Sequence, residues 1–346
     1  PANKLEIIVV NDGSKDNTAQ LVREFMKTHP QVQLINKLNG GKGPAINSAL
    51  AIAKGELFGV IDADSRIEKD AIKALLQQFN GPKTGAVITR IRVDNPRNFL
   101  ERMQRFEYIM SSLTRFMMRN FGTLAITHGV LSMFRTNVLR KVGGFVQDRN
   151  NITEDFEIAL RMRRHGYTVE MEPKAIGYTS VPNTVKSVWR QRIRWSRGYL
   201  YNMINYKDLF FSKGQGVFGA FQLPMNVLAV LLLILNVSLI SYDFIDRGLS
   251  FVQRSFTLSG YFWNTVLDLP SLKEIVLSHN VQIGLPVMLS FVLGLYIIFT
   301  AHRIFGERLR NQFLPAIAYL LVMPYFSTVN WISSIAQEVV RTKRKW

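Results

Sequence analysis

Leu57-Phe58-Gly59-Val60-Ile61-Asp62-Ala63-Asp64 is a short apolar run that ends on two carboxylates separated by a single residue. Such a run reads as a β-strand that delivers charge to its own tip. If the backbone stays extended, Asp62 and Asp64 share one face of the strand; a turn there would bring them close instead. Further strand candidates stand around it at 5–10, 32–36 and 85–90, and helical patterns lie between them at 18–28, 44–53 and 69–79. Alternation of this kind predicts an α/β domain built on a mostly parallel sheet flanked by helices. Ligands of such sheets bind beyond the carboxyl ends of the strands, which is where the acidic residues fall.

The chain has 346 residues, with 43 basic against 25 acidic side chains and a formal charge of +18, yet 47% of it is hydrophobic. A disordered basic tail would lack that apolar content. A nucleic-acid-binding domain would not carry long uncharged stretches, so no nucleic acid partner is expected. The absence of cysteine excludes disulfides, thiolate metal sites and a cysteine nucleophile. Residues 217–242 bear no charge and exceed the ~20 residues that cross a bilayer. Segments 281–301 and 311–337 pass the same test, although Pro315 and Pro324 are expected to break or bend the last. Segments 97–120 and 184–206 interleave Arg with aromatic and aliphatic residues, which suits helices lying in the membrane interface; a solvated helix face is the other account.

The expected division is therefore an α/β domain at 1–183, an interfacial helix at 184–212 and a membrane region at 213–346. Basic residues beside the spans favour the cytoplasmic side and anionic headgroups. A multi-pass plasma-membrane protein is expected, with its α/β domain in the cytoplasm and the lipid bilayer as a partner. Three complete crossings would leave the basic end, 341–345, outside. A re-entrant hairpin at Pro324 or a further crossing within 251–267 would restore the rule.

Four motifs and a glycine-rich loop carry candidate chemistry. Val9-Val10-Asn11-Asp12-Gly13-Ser14 runs a strand into a turn, and Asp12 either starts that turn or faces a ligand. Asp62 and Asp64 suit Mg2+ or Mn2+, whose shell phosphate oxygens and water would complete, so a nucleoside diphosphate is the natural partner. Between them, Asn39-Gly40-Gly41-Lys42-Gly43-Pro44-Ala45 opens a helix whose free N–H groups favour anions, with Lys42 as a point charge. The P-loop pattern is absent. In Thr153-Glu154-Asp155, Thr153 reads as a helix N-cap. The acids either complement the helix dipole or supply a general base for an acceptor hydroxyl. Within Gln191-Arg192-Ile193-Arg194-Trp195, Gln191, Arg194 and Trp195 share one helix face. An indole can carry a sugar ring, an amide can bind hydroxyls and a guanidinium can neutralise a departing phosphate. A membrane-interface anchor is the alternative role for Trp195.

In this order, the four motifs resemble those of the membrane-embedded family 2 glycosyltransferases, which include cellulose, chitin, hyaluronan and poly-N-acetylglucosamine synthases. The resemblance covers about residues 5–212. It implies a GT-A-like, Rossmann-like fold followed by interfacial and membrane helices. It implies that Asp12 contacts the nucleobase, that Lys42 lines the nucleotide and that Asp62 also serves nucleotide binding. Asp62 and Asp64 would hold Mg2+ or Mn2+, Asp155 would be the catalytic base, and Glu154, Gln191, Arg194 and Trp195 would hold the acceptor end and the leaving diphosphate. His128-Gly129 stands where relatives have a small-residue motif near the acceptor, and its local sequence departs from their pattern.

The implied reaction is an inverting transfer from a nucleotide-diphosphate sugar, a UDP-sugar by preference, to a growing polysaccharide. The alternative acceptor is a polyprenyl phosphate or a glycolipid that receives a single sugar. Relatives begin with one more strand beside the nucleotide, so an N-terminal segment preceding residue 1 is expected; a nucleotide pocket built differently is the alternative.

Overall fold

A computed structural model describes residues 4–267 and 281–344, the side chains of 281–287 apart. The chain forms two compact units. One contains residues up to Val227 together with the stretch from Val329 onward, and the other runs Leu228–Thr328.

In the first unit, β1 (Ile7–Asp12) and β2 (Val32–Lys37) form a parallel pair. A five-stranded sheet has β3 (Leu57–Ile61), β6 (Val130–Arg135), β5 (Thr84–Val93), β7 (Thr168–Thr179) and the two-residue β4 (Arg66–Ile67) side by side in that order. The sheet is mixed, not mostly parallel. β6 runs antiparallel to both β3 and β5, and β4 antiparallel to β7, while β5 and β7 are parallel. The strands that the local pattern exposes, β3 and β5, do run the same way. A strand from later in the chain is inserted between them, a pairing that no local periodicity encodes. β5 is the centre of the sheet: Ala86, Val87 and Ile88 are fully buried, which is why this strand shows an apolar run and no alternation.

Helices α1 (Thr18–Met26), α2 (Lys42–Ile52) and α3 (Ala71–Leu76) fall within the segments expected, apart from α2, which begins two residues earlier and takes Lys42 into its first turn. α4 (Phe99–Asn120) starts at a capping box in which Asn98 accepts from the Glu101 N–H and Glu101 reaches back. Its buried face, including Met103, Phe106, Ile109 and Leu113, packs on the sheet. α5 (Thr136–Lys141) and α6 (Glu154–Arg164) follow, the latter stopped by Gly166 at φ +80°. α7 (Val185–Asn205) carries the Gln191–Trp195 motif and starts at a second box, Thr184 with Ser187.

α8 (Leu223–Thr257) begins in the first unit and runs through the second, where α9 (Tyr261–Leu267) and α10 (Val281–Phe305) follow it. α11 (Phe313–Val339) starts in the second unit and returns to the first. Among the described residues, three helical stretches are long and apolar enough to cross a bilayer: Phe218–Thr257, Met288–Phe305 and Leu309–Val339. The first extends well past the uncharged run at 217–242, with Asp243 and Arg247 paired along it at i, i+4. Of the break or bend expected in the last, the break is not present. α11 is continuous through Pro324, so there is no hairpin at that residue. Pro315 sits in its first turn, where its missing N–H would have had no partner in any case.

Candidate active site

The strand ends and the loops beyond them build the site. Asp12 closes β1, and its Oδ1 accepts from Lys37 Nζ at 2.7 Å and Gly40 N–H at 3.0 Å, while Oδ2 accepts from Gly41 N–H at 2.8 Å. Burial would push this carboxyl up, but Lys37 and the two backbone donors outweigh it and hold it below its usual range. Asp12 therefore organises the glycine loop. Gly41 sits at φ +91° immediately before Lys42, a conformation that L side chains rarely adopt, and the turn it makes launches α2.

Lys42 is the hub. Its Nζ lies 2.6 Å from Asp62 Oδ1 and 3.2 Å from Glu154 Oε1. Burial opposes its charge, yet Glu154, Asp62 and Asp155 together raise its pKa above the ordinary lysine value. The backbone turns after Asp62: Ser65 N–H donates to the Asp62 carbonyl at 3.0 Å, so of the two conformations open to Asp-x-Asp the turn is realised. The Asp62 N–H donates to Gly129 O at 2.7 Å. A Cβ at Gly129 would collide with the Asp62 carboxylate, which gives the small residue after His128 a steric reason. Asp64 lies on the exposed side of the turn.

Thr153 precedes α6 at the N-cap position but makes no side-chain cap; its Oγ1 accepts from Asn202 Nδ2 of α7 at 3.1 Å. The expected cap thus became a tie between the acidic loop and the motif-bearing helix. Glu154 is buried, and its second oxygen, Oε2, has no hydrogen-bond partner. The half-buried Asp155 accepts from Phe156 N–H at 2.8 Å through Oδ1, and Thr127 Oγ1 donates to its backbone carbonyl at 2.6 Å. Burial, reinforced by the Glu154 charge, pushes the Asp155 carboxyl up to about 6, against the pull of Lys42 and Arg194. A carboxylate poised there can take a proton near neutral pH.

Lys42, Glu154 and Asp155 line one cavity together with Thr127, His128 and Gly129. Asp62 joins it through Lys42, and Arg194 acts on Asp155 by charge. Gln191 presents a buried Oε1 that has no hydrogen-bond partner. Trp195 carries the Arg192 guanidinium over its ring, 4.2 Å from the centroid. The structure thus brings Lys42, Asp62, Glu154 and Asp155 together, places Asp12 behind them in the glycine loop, and leaves Asp64 turned outward. Sequence reasoning missed Arg192, whose Nη2 pairs with Glu107 of α4 at 2.8 Å, and Arg115 of α4, whose charge reaches Asp155. An acid in the middle of an Arg-rich helix was the available signal.

Among the described residues no cluster of three or more His, Cys, Asp or Glu side chains could hold a metal. The oxygen donors of Asp62 and Asp64 nevertheless fit a hard divalent cation that draws its remaining ligands from phosphate and water.

Carboxylates gathered beyond the strand ends, with a lysine in the first turn of α2 between them, lie where ligands of α/β sheets bind. The chain belongs to the family 2 glycosyltransferases: the family described as glycosyltransferase like family 2 matches residues 1–198. The poly-beta-1,6-N-acetyl-D-glucosamine synthase of Staphylococcus epidermidis is 34% identical over 197 residues, 56% of this chain and 47% of the relative. The probable glycosyltransferase YdaM of Bacillus subtilis is 34% identical over 220 residues, 61% of this chain and 51% of that protein. The chain spans about half the length of these relatives. A mannosyltransferase from Pyrobaculum calidifontis, solved with GDP-Man and Mn2+, aligns over 77% of this chain and 75% of its own at 23% identity and a TM-score of 0.49.

Proposed function

We propose that the protein transfers a sugar from a nucleotide-diphosphate sugar, a UDP-sugar by preference, to the hydroxyl at the end of a growing polysaccharide, with inversion at the anomeric carbon. The observation that carries this reading is Lys42, which holds the Asp62 carboxylate and the Glu154–Asp155 pair around one pocket. Likeness to a synthase of an N-acetylglucosamine polymer supports the choice of a polymer over a single addition.

In this reading Asp155 removes the proton from the acceptor hydroxyl as its oxygen attacks, and Arg194 offsets charge on the departing diphosphate. Lys42 shifts from the carboxylates to phosphate oxygens, and Asp12 serves the nucleobase side. Asp62 and Asp64 would hold Mg2+ or Mn2+, which when bound supplies neutralisation of the diphosphate. Gln191 and Trp195 hold the acceptor end. The catalytic unit lies at the cytoplasmic face of the plasma membrane. α4 and α7 rest in the interface, and the exposed Phe99, Met117, Phe121, Val185 and Ile204 face the lipid.

The test incubates the purified protein with a panel of nucleotide sugars and either cation, measuring released nucleoside diphosphate and the size of the product. A ladder of oligomers is the expected result. A single sugar on an extractable lipid would replace the polymer acceptor with a lipid one, and no release with any donor would refute transfer.

A further inference from the structure

Lys42 stands between two carboxylates of unequal burial. Asp62 is half-buried just beyond the end of β3, and Glu154 is 4% exposed at the start of α6. The ammonium holds both, at 2.6 Å from Asp62 Oδ1 and 3.2 Å from Glu154 Oε1. The second oxygen of Asp62 is turned to a wall. Oδ2 fills the space where a side chain at Gly129 would begin, since a Cβ built there would lie 1.8 Å from it. The Asp62 N–H, bonded to Gly129 O at 2.7 Å, fixes the residue against that wall. Asp64, the other member of the pair, is exposed.

The two carboxylates that suit a divalent cation are therefore not assembled to grip one. One oxygen of Asp62 faces Gly129, and the other is held by a cation of the chain itself. A divalent ion arriving alone must displace the ammonium or share Asp62 with it, and like charges a few ångströms apart repel strongly where water is scarce. A diphosphate changes the balance. Its oxygens accept, and an ammonium with three hydrogens can keep one on Glu154 while it turns another from Asp62 to phosphate. Glu154 needs that hold, because a buried acid stripped of its partner is left as an uncompensated charge.

We propose that Lys42 is a resident counter-cation: it closes Asp62 to a free divalent ion, pivots on Glu154 when a nucleoside diphosphate arrives, and so makes nucleotide and cation bind together. The proposal rests on the reading of the protein as a nucleotide-sugar transferase and deepens it, because it assigns the coupling between two ligands to one side chain. Linkage makes that coupling reciprocal: each ligand raises the affinity of the other by the same factor.

The full chain in detergent is titrated with Mn2+ alone, the free ion being read by electron paramagnetic resonance, and then with Mn2+ and UDP together, read by calorimetry. Lys42→Met is expected to bind free Mn2+ about tenfold more tightly than the unaltered protein, and Mn2+ with UDP about tenfold less tightly. The opposite signs are what the proposal requires. A lysine that serves phosphate alone would give the second change without the first, and a fold defect would weaken both. Adding Asp62→Asn to Lys42→Met should abolish the gain. Lys37→Met removes an equal charge from the side of Asp12. It should alter free Mn2+ affinity by no more than about twofold.

Equal free Mn2+ affinity in the unaltered protein and in Lys42→Met would overturn the proposal and leave the transferase reading intact. A gain that survives Asp62→Asn would place the ion elsewhere and overturn it as well. If neither form binds UDP or GDP, with or without Mn2+, the pivot falls together with the function on which it rests.

Discussion

The elevated pKa of Asp155 sets both what the residue can do and how it should respond to pH. Its environment favours the neutral acid through burial and the adjacent Glu154 charge, and Lys42 and Arg194 restore part of the balance. A general base works only when ionised, so transfer should decline as pH falls through about 6, approaching about tenfold per unit below it. Because Lys42 pulls the Asp155 pKa down, Lys42→Met should move the acid limb to higher pH, measured on the residual rate. A limb that stays in place would remove Asp155 from the role of base. Asp155→Asn should cut transfer by ~10² to 10⁴ while nucleotide affinity is unchanged, since positioned proton transfer contributes about that much. Gly129→Ala probes the other side of the pocket. Its methyl group would displace the Asp62 carboxylate from Lys42, so weaker nucleotide and cation binding by calorimetry is expected, with full retention arguing that Asp62 is not needed where it stands.

Helices α4 and α7 meet through an ion pair that neither sequence pattern announced. Glu107 and Arg192 approach to 2.8 Å with side chains 21% and 11% exposed, and Arg192 also covers Trp195. Burial pushes the Glu107 carboxyl up despite its arginine neighbours, so the pair is held in a poorly solvated place. Removing one partner from such a pair leaves an uncompensated charge, at a cost of about 3 kcal/mol. Glu107→Ala should therefore lower the thermal midpoint and disorder the Trp195 environment, seen as a changed tryptophan emission. An unchanged melt would make the pair incidental. The same pair shows what a sequence exposes and what it hides. Asp12, Asp62 and the Thr153–Asp155 cluster were legible because each ends a strand or opens a helix, a relation spanning a few residues. The convergence of Asp62, Glu154 and Asp155 on Lys42, the insertion of β6 beside β3 and the diversion of the Thr153 hydroxyl to Asn202 depend on tertiary pairing, which local periodicity does not carry.

The end of the chain decides how many times it can cross a membrane. Residues from Val329 onward pack with the catalytic unit. Arg197 of α7, 5% exposed, holds Glu338 at 2.6 Å and donates to the Thr342 carbonyl at 2.6 Å. Arg344 also pairs with Glu338 and lies over the Tyr201 ring, while Tyr201 donates to Asp148 at 2.6 Å in the loop that leads to Glu154. These contacts fasten the basic end to the catalytic unit. With both ends of the apolar region on this unit, an even number of crossings is the expectation to test. On that expectation the three apolar helices of sufficient length among the described residues are not three complete crossings, and the charge rule is met with no hairpin at Pro324. The absence of cysteine makes the point directly measurable. Single substitutions Glu24→Cys and Lys343→Cys, both at exposed positions, should react equally with a membrane-impermeant maleimide in sealed inverted vesicles, and both should be protected in right-side-out ones. Opposite labelling of the two sites would show that the tail does not dock on Arg197 in the membrane, and an odd number of crossings would then stand.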